Sequence, residues 1–379
     1  MGMFSHFLRD LEQIVFPDRD WHPIPAMDGA LTPNDLLDAC APVGDPIPGV
    51  DDVVAGPDGA LYASAGSEIL RFSGEEFRER SVFATVDGVA GALAWHRDDR
   101  LLVCVAGHGL LPIPLKGARN GSRSQTPLTR AGDEDLECLT AVAVAADGTV
   151  FLTDGSSRNR PDDWARDLME KNALGRLIVC RPALNGARVV QSHLAWPHGV
   201  ALAADGRALW FSESWSHRLS RVAVDGDRLG RPEVVIGNMP GYPGRLSRAA
   251  AGGFWLASFA VRTHLIEFVL REDDFRTEMM RTIAPPLWIA PALNTTNDSQ
   301  EPMQFGNIKA LGIEKPWAPP RSYGLLVRID GDGEPLESLH SRRGGVHHGI
   351  TASCESAHGL VIVSKGSGRL LRRTTGGKA

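Results

Sequence analysis

Residues 194–222, which read LAWPHGVALAADGRALWFSESWSHRLSRV, contain the pattern that decides the fold of this chain. Two short apolar segments, 200–202 and 208–211, lie on either side of an Asp-Gly pair at 205–206. This arrangement is a strong β-hairpin signal, because both turn residues tolerate the positive φ angles that a tight turn needs. A third apolar segment at 219–222 follows a polar step and predicts a third strand.

The same unit recurs along the chain, with a turn between two apolar segments in every copy. The turns are Asp58-Gly59, Asp98-Asp99, Asp147-Gly148, Asp205-Gly206, Gly252-Gly253 and His358-Gly359. The first five lie about 40 to 60 residues apart, which is the period of propeller blades. We therefore predict an all-β fold, a six-bladed β-propeller formed by residues 47–379.

Three regions depart from the repeat. One is an insertion after Ser157, RNRPDDWARDLMEKNALG, which predicts a loop with one helical turn. Apolar residues at helical spacing in 3–15 predict an amphipathic helix, which with a Pro- and Asp-rich arm makes residues 1–46 an N-terminal segment. We expect this helix to pack on the propeller, with a homodimer contact or a membrane-surface contact as alternatives. A long insertion before the last blade, 271–321, is predicted to cap the channel face that carries the site.

Composition narrows the function classes. The chain has 379 residues and a net charge of -6 without a Lys/Arg cluster, which argues against nucleic acid as a partner. Its five cysteines are odd in number, scattered and without paired spacing, so they predict reduced thiols in a cytoplasmic protein. Neither a secretory signal nor an apolar run long enough to span a membrane is visible.

The repeat predicts which residues meet at the channel. Counting seven residues back from each turn gives the start of each innermost strand, and these starts converge at one end of a propeller. The positions are Asp51, Gly91, Thr140, His198, Arg245 and Thr351. A ring with these side chains at a channel mouth is suited to a small-molecule site. The alternative is a set of ordinary polar strand starts that face water.

Several segments, in their order along the chain, resemble strictosidine synthase-like proteins. They are PHGVALAADGRALWFSES, FLTDGSS with GRLIVCRP, NMPGYPGRLSR, and YGLLVRIDGDGEPLESLH, of which the last is similar to the start of that family's final blade. The resemblance extends to the wider group of SMP-30, gluconolactonase-like and paraoxonase-like six-bladed propellers. It implies a hydrolase, since many members of that group are metal-dependent hydrolases of lactones or organophosphates.

The resemblance also implies where a metal would bind and shows that its ligands are missing. Metal-dependent relatives hold a channel cation, suited to calcium, with a Glu and several Asn or Asp oxygens. The matching positions here are Asp51 for the Glu, Thr140 and Ala141 for Asn-Asp, His198 for an Asn, and Gly244-Arg245 for Asp-Asn. Arg245 would place a fixed positive charge beside any cation. We therefore predict no metal and no cofactor.

One alternative keeps a divalent cation, held by Asp51 with the histidines at 198, 347 and 348, because imidazole and carboxylate suit zinc or iron. The segment HHGITASCE has no evident counterpart of the acidic residue that strictosidine synthase uses in its last blade. Alkaloid-forming chemistry is therefore not supported.

We predict an enzyme that uses metal-independent acid/base chemistry on a small organic substrate, such as a carboxylate or lactone. Lactone or ester hydrolysis fits, as does an isomerase, lyase or cyclase step. The predicted catalytic residues are His198, His348 and Asp51, and the predicted substrate-binding residues are Arg245, Thr140, His347, Trp288 and Trp317. We expect replacement of His198 or Arg245 to spare stability, as at surface sites. The alternatives are a non-catalytic binding propeller and a metal-dependent lactonase with a rebuilt His/Asp site.

Overall fold

Six antiparallel sheets follow one another along the chain and form a ring. The computed structural model describes residues 24–115, 126–294, 322–342 and 344–373, with the backbone of two short strands, Lys309–Ala310 and Ile313–Glu314. Each innermost strand packs beside the next one, and the sixth packs beside the first, which closes the ring. The predicted six-bladed β-propeller is therefore confirmed.

The blades are numbered along the chain, and their strands run from the channel outward. The strands are Val50–Ala55, Leu61–Ala65, Glu68–Ser73 and Glu79–Thr85 in blade 1; Ala90–His96, Arg100–Val105 and Gly109–Pro114 in blade 2; Leu139–Val144, Val150–Asp154, Gly175–Cys180 and Arg188–Leu194 in blade 3; Pro197–Leu202, Ala208–Glu213, Arg218–Asp225 and Glu233–Ile236 in blade 4; Gly241–Arg248, Phe254–Val261, Gly324–Ile329 and Pro335–Ser341 in blade 5; and Ile350–Ser356, Gly359–Ser364, Arg369–Arg373 and Ala41–Pro42 in blade 6. The small strand pairs outside this order are Arg130–Ala131 with Glu134–Asp135, Lys309–Ala310 with Ile313–Glu314, and Arg228–Leu229 with the third strand of blade 4.

All six predicted turns join the innermost strand of a blade to its second strand. In blade 4, Leu202 pairs with Leu209 across the Asp205-Gly206 turn, and Gly206 has a φ of 71°. A residue with a side chain is disfavoured at that angle, so the glycine explains why the hairpin turns at this point.

The core lies between neighbouring blades and is built from strands whose two faces are both covered. The second strand of blade 5, Phe254–Val261, is buried along its whole length. Between blades 1 and 6, Val53 and Leu61 pack against Val363 and Leu370. Each such side chain contributes about 1.5–3 kcal/mol by leaving water, so the interfaces hold the ring together.

Blade 6 is completed by the N-terminal arm. Ala41 pairs with Arg372 and Pro42 with Leu371, so the arm supplies the outermost strand of the last blade. Proline fits this edge position because it has no N–H to donate to a further strand. The arm is thus part of the propeller at this point, whereas the sequence placed all of residues 1–46 before the blades. The predicted helix at 3–15 lies outside the described residues.

The long insertion lies inside blade 5, between its second and third strands. Residues Gly324–Ile329 and Pro335–Ser341 complete that blade, so the assignment of this segment to the start of the last blade is wrong. Two apolar strands around a glycine turn look the same in sequence whether they are the inner or the outer pair of a blade. Among the described residues, helix α1 (Trp164–Met169) lies between the second and third strands of blade 3, and helices α2 (His264–Arg271) and α3 (Asp273–Thr282) lie between the second and third strands of blade 5.

No helix within the described ranges is long and apolar enough to cross a membrane. All five cysteines are buried and none forms a disulfide.

Candidate functional site

A cavity of about 670 Å³, including its open mouth, lies at the end of the channel where the innermost strands begin. The structure brings all six counted positions to its wall, which are Asp51, Gly91, Thr140, His198, Arg245 and Thr351. We call it the channel cavity.

Arg245 crosses the floor of the channel cavity from blade 5. Its Nε donates to the Thr140 carbonyl at 3.0 Å, and its Nη1 donates to the Asp51 carbonyl at 3.0 Å. Its Nη2 lies 2.6 Å from Asp51 Oδ2. The guanidinium therefore joins strands of blades 1, 3 and 5 across the channel axis, where its planar set of donors reaches several acceptors at once.

Asp51 lies between two cations. Its Oδ2 accepts from Arg245, and its Oδ1 accepts from Lys365 Nζ at 2.7 Å. Burial alone would raise the pKa of Asp51, but the charges of Arg245 and Lys365 outweigh burial and hold that pKa well below its usual range. Asp51 is therefore ionised at neutral pH, and no hydrogen bond joins it to a histidine within the described ranges.

The neighbouring Asp52 faces the opposite half of the channel, where a second cavity lies. Its carboxylate accepts from the backbone N–H groups of Val53 and Leu93, each at 2.8 Å, and its Oδ2 lies 4.0 Å from Arg245 Nε. Burial raises the pKa of Asp52 to about 6, against the opposing charge of Arg245. Arg245 lines both cavities, so its guanidinium separates the two halves of the channel.

His198 supplies a neutral imidazole to the channel cavity. Burial lowers the pKa of His198 to about 3, and the positive charge of Arg245 acts in the same direction. The ring packs edge-on against Phe259, with 5.2 Å between centroids. Its Nδ1 is buried and makes no hydrogen bond to the described residues, which leaves Nε2 as the nitrogen open to the cavity.

The two threonines of the ring have their hydroxyls occupied. Thr140 Oγ1 donates to the Pro197 carbonyl at 2.6 Å, and Thr351 Oγ1 donates to the Asp51 carbonyl at 2.7 Å. Both hydroxyls therefore hold strands in place and offer little to a ligand.

One side of the channel cavity is aromatic. Trp164, Trp196 and Phe259 line it, and Trp164 meets Phe259 edge-on at 5.6 Å. Trp164 begins helix α1, which is tied down by Asp167, whose carboxylate accepts from Trp215 Nε1 at 2.9 Å. The insertion within blade 3 thus places an aromatic side chain over the site.

Three predicted site residues, the two histidines at 347 and 348 and Trp288, lie away from the channel cavity. The ring of His348 bonds to Ser322 Oγ at 2.7 Å and the Arg342 carbonyl at 2.9 Å, and His347 Nδ1 lies 3.2 Å from Ser367 Oγ. A turn with positive φ at Gly349 separates both histidines from the strand start at Ile350, so nearness in sequence does not bring them to the channel.

Trp288 is buried in the core of the insertion, where its Nε1 donates to the Ile283 carbonyl at 2.8 Å. Leu293 is the described residue of the insertion that lines the channel cavity. Trp317 lies outside the described residues.

Sequence reasoning missed Lys365, the aromatic wall and Leu293. Lys365 follows the second strand of blade 6, whose end, Ser364, pairs with Ile350 at the start of the innermost strand. The ends of second strands therefore reach the same face as the starts of first strands. Counting both sets of positions would have included Lys365. Trp164 and Leu293 come from insertions, which have no place in the repeat.

Parts of the chain are similar in sequence to known proteins. The strictosidine synthase family model matches residues 140–227. The Arabidopsis thaliana protein STRICTOSIDINE SYNTHASE-LIKE 13 is 27% identical over 67% of this chain and 56% of its own length. The chain resembles strictosidine synthase-like proteins. The predicted resemblance is confirmed. An adipocyte plasma membrane-associated protein of Danio rerio is 34% identical over 53% of this chain and 43% of its own length. The chain thus spans about half the length of the curated relatives it matches.

Solved structures share the fold of this chain. A gluconolactonase from Xanthomonas campestris has a TM-score of 0.55 at 15% identity and covers 89% of this chain and 88% of its own. A calcium-binding regucalcin from Agrobacterium tumefaciens has a TM-score of 0.55 at 13% identity and covers 86% of this chain and 90% of its own. At these identities the likeness shows the six-bladed propeller alone.

The residues of this chain do not fit a channel calcium. Calcium needs six to eight oxygen ligands, and both carboxylate oxygens of Asp51 are already paired with Arg245 and Lys365. The described ranges contain no group of three or more His, Cys, Asp or Glu side chains that could hold a metal. The four-residue set of the cation alternative, Asp51 with three histidines, is not brought together.

A buried histidine outside the cavity makes stability depend on pH. Burial, with Arg262 nearby, lowers the pKa of His217 to about 3 in the folded chain, against about 6.5 when unfolded. Its contribution to stability is therefore present above pH 6.5 and is lost as pH falls, by about 1.4 kcal/mol per unit. Urea unfolding of the wild type and of His217→Gln at pH 7.5 and 5.5 tests this. We expect the free energy of unfolding to fall by about 1.4 kcal/mol less in the variant than in the wild type between pH 7.5 and 5.5. An equal fall in both proteins would contradict the prediction.

Proposed function

We propose that this chain hydrolyses a lactone or ester of a small organic acid by metal-independent acid/base chemistry in the channel cavity. The observation that carries the proposal is a neutral imidazole, His198, open to a cavity whose floor holds two cations, Arg245 and Lys365. Such a set provides a proton acceptor and electrostatic stabilisation within one concave site.

Each residue has a distinct part in the proposed reaction. His198 Nε2 takes a proton from a water molecule, whose oxygen forms a bond to the substrate carbonyl carbon. The carbonyl π electrons move to its oxygen, which is stabilised by Lys365 and Arg245. Collapse of this intermediate breaks the bond to the alkoxide, which receives the proton from His198. Asp51 keeps the two cations in place and stays ionised throughout.

The comparisons support a hydrolase in a limited way. The fold is shared with a solved gluconolactonase, and the sequence resembles a family whose model matches the strands that carry Thr140 and His198. An isomerase, lyase or cyclase step would use the same proton acceptor and the same cations. A panel of lactones and aryl esters, assayed for acid release, separates hydrolysis from these reactions.

Activity is expected to be independent of calcium. Because Arg245 lies at the channel axis and saturates Asp51 together with Lys365, a chelator should leave turnover unchanged within about twofold. Elemental analysis of the purified protein should find no stoichiometric calcium. Loss of turnover in chelator, with recovery on adding calcium, would contradict the proposal.

A second candidate is a propeller that binds its ligand without turning it over. The lowered pKa of His198, about 3, favours it, because a group with so low a pKa is a weak base. Saturable ligand binding without acid release from any member of the panel would decide for this candidate.

A further inference from the structure

The wall of the channel cavity is poor in free neutral hydrogen-bonding groups. Aromatic side chains form one side, and aliphatic residues such as Val89 and Leu139 form another. The hydroxyls of Thr140 and Thr351 donate to backbone carbonyls. A ligand covered with hydroxyl groups would lose its bonds to water here and regain few of them. A flat apolar ring would instead pack against the tryptophans.

The floor of the channel cavity has positively charged N–H donors that are not all hydrogen-bonded within the protein. Lys365 Nζ has one carboxylate partner, Asp51 Oδ1, and its side chain is 32% exposed, so its other N–H groups are available to a ligand. Gly91 leaves the edge of the guanidinium uncovered. A Cβ at this glycine would lie 3.8 Å from Arg245 Nη2 and 3.7 Å from Asp51 Oδ2.

The other charged group on the wall is the carboxylate of Asp162, which is exposed at the mouth. On the floor, the two cations face one carboxylate, which is already paired with both of them. The floor therefore favours an anionic or oxyanionic group over a cationic one.

We infer that the channel cavity takes a compact ring-bearing carboxylate, or the lactone or aryl ester that yields one, in preference to a polyhydroxylated acid. The inference rests on the proposed function, since it names the substrate class for the same site. The ring lies against Trp164 and Trp196, and the carboxylate, or the oxyanion formed during hydrolysis, meets Lys365 and the uncovered edge of Arg245.

Equilibrium binding tests this class without requiring turnover. Phenylacetate, phenylacetamide and gluconate are titrated into the full chain while tryptophan fluorescence is followed, because two tryptophans line the cavity. Phenylacetate is expected to bind at least about tenfold more tightly than the other two, since phenylacetamide lacks the charge and gluconate lacks the ring. An equal or higher affinity for gluconate would overturn the inference.

Substitutions in the channel cavity test whether phenylacetate binds there. Lys365→Met should weaken phenylacetate binding about tenfold or more and leave phenylacetamide unchanged, while Lys171→Met, at an exposed lysine outside the cavity, should change neither. Gly91→Val should block phenylacetate, because its methyl groups would cover the edge of the guanidinium. Gly91→Ala should fold normally, since its Cβ makes ordinary contacts, and should weaken binding less than Gly91→Val does. Circular dichroism checks that each variant is folded, and Gly91→Val keeps the test intact if Lys365→Met does not fold. Unchanged phenylacetate affinity in either Lys365→Met or Gly91→Val would overturn the inference.

The outcomes separate this inference from the proposed function. Hydrolysis of lactones together with a preference for polyhydroxylated ones would overturn the ligand class and leave the proposed function standing. Phenylacetate binding at this site without hydrolysis of any ester or lactone would overturn the proposed function and leave the ligand class standing. Failure of all three compounds to bind would overturn the ligand class.

Discussion

Replacing Arg245 with methionine is expected to lower the free energy of unfolding by about 3–5 kcal/mol, because the buried Asp52 loses its nearby positive charge and the buried Asp51 keeps only Lys365 as a partner. Asp51 and Asp52 are both buried, and the guanidinium lies 2.6 Å from an oxygen of the first and 4.0 Å from an oxygen of the second. Urea unfolding at pH 7.5 measures the effect. The sequence had suggested that replacement would spare stability, but that expectation assumed a surface residue, and Arg245 is 9% exposed.

Two controls make this prediction specific. Adding Asp51→Asn to Arg245→Met should recover part of the loss, because it removes one of the two buried negative charges that lost the guanidinium. Arg248→Met, on the same strand but exposed, should cost no more than about 1.5 kcal/mol, because its side chain donates a single hydrogen bond, to the Leu202 carbonyl. A loss as small in Arg245→Met as in Arg248→Met would show that the buried cluster is not held by the guanidinium.

Replacing His198 with glutamine or alanine should reduce turnover of a lactone or aryl ester by about 10²-fold or more, because neither side chain can take a proton from water. Glutamine is close to histidine in size, so ligand binding should persist in that variant. His358→Ala provides the matched control, since His358 lies in the turn between the first two strands of blade 6 and does not line the channel cavity. Steady-state rates with a substrate found in the panel decide the outcome.

The pH dependence adds a separate check on His198. With a folded pKa of about 3, this histidine is neutral above that value, so its titration should not produce an acid limb in turnover between pH 5 and 8. Full turnover in His198→Gln would remove His198 from the mechanism. An acid limb near pH 6.5 that disappears in this variant would show that His198 titrates as an exposed imidazole does.

The inner half of every blade could be predicted because its signal is local. A turn such as Asp205-Gly206 and the apolar residues beside it specify a hairpin without help from distant parts of the chain. The outermost strand of blade 6 could not be predicted, because Ala41–Pro42 is too short to show a period and pairs only with residues at the other end of the chain. The position of the insertion was obscured for a related reason, since inner and outer hairpins look alike in sequence.

The site was predictable to the extent that it follows the repeat. Asp51, Thr140, His198 and Arg245 line one cavity because symmetry-related strand starts converge, and the count used only that symmetry. The two neighbouring histidines at 347 and 348 were assigned to the site because they lie close to Thr351 in sequence. The turn at Gly349 directs them away from the channel, so this assignment failed. Side-chain direction and ion pairing depend on three-dimensional packing, so the pairing of Asp51 with Lys365 has no signature in the sequence.

The ring closure described for blade 6 has a consequence for the order of folding. Lys365 and Asp51 are separated by 314 residues, and the strand at Ala41–Pro42 can pair only with a segment near the end of the chain. Contacts between such distant segments form late, since the entropy of closing a long loop must be offset before they stabilise anything. During synthesis, the strands of the first five blades are therefore made before Lys365 can complete the floor of the cavity. A nascent or nicked chain that lacks blade 6 would lack Lys365, and we expect it to bind an anionic ligand less tightly than the closed ring does.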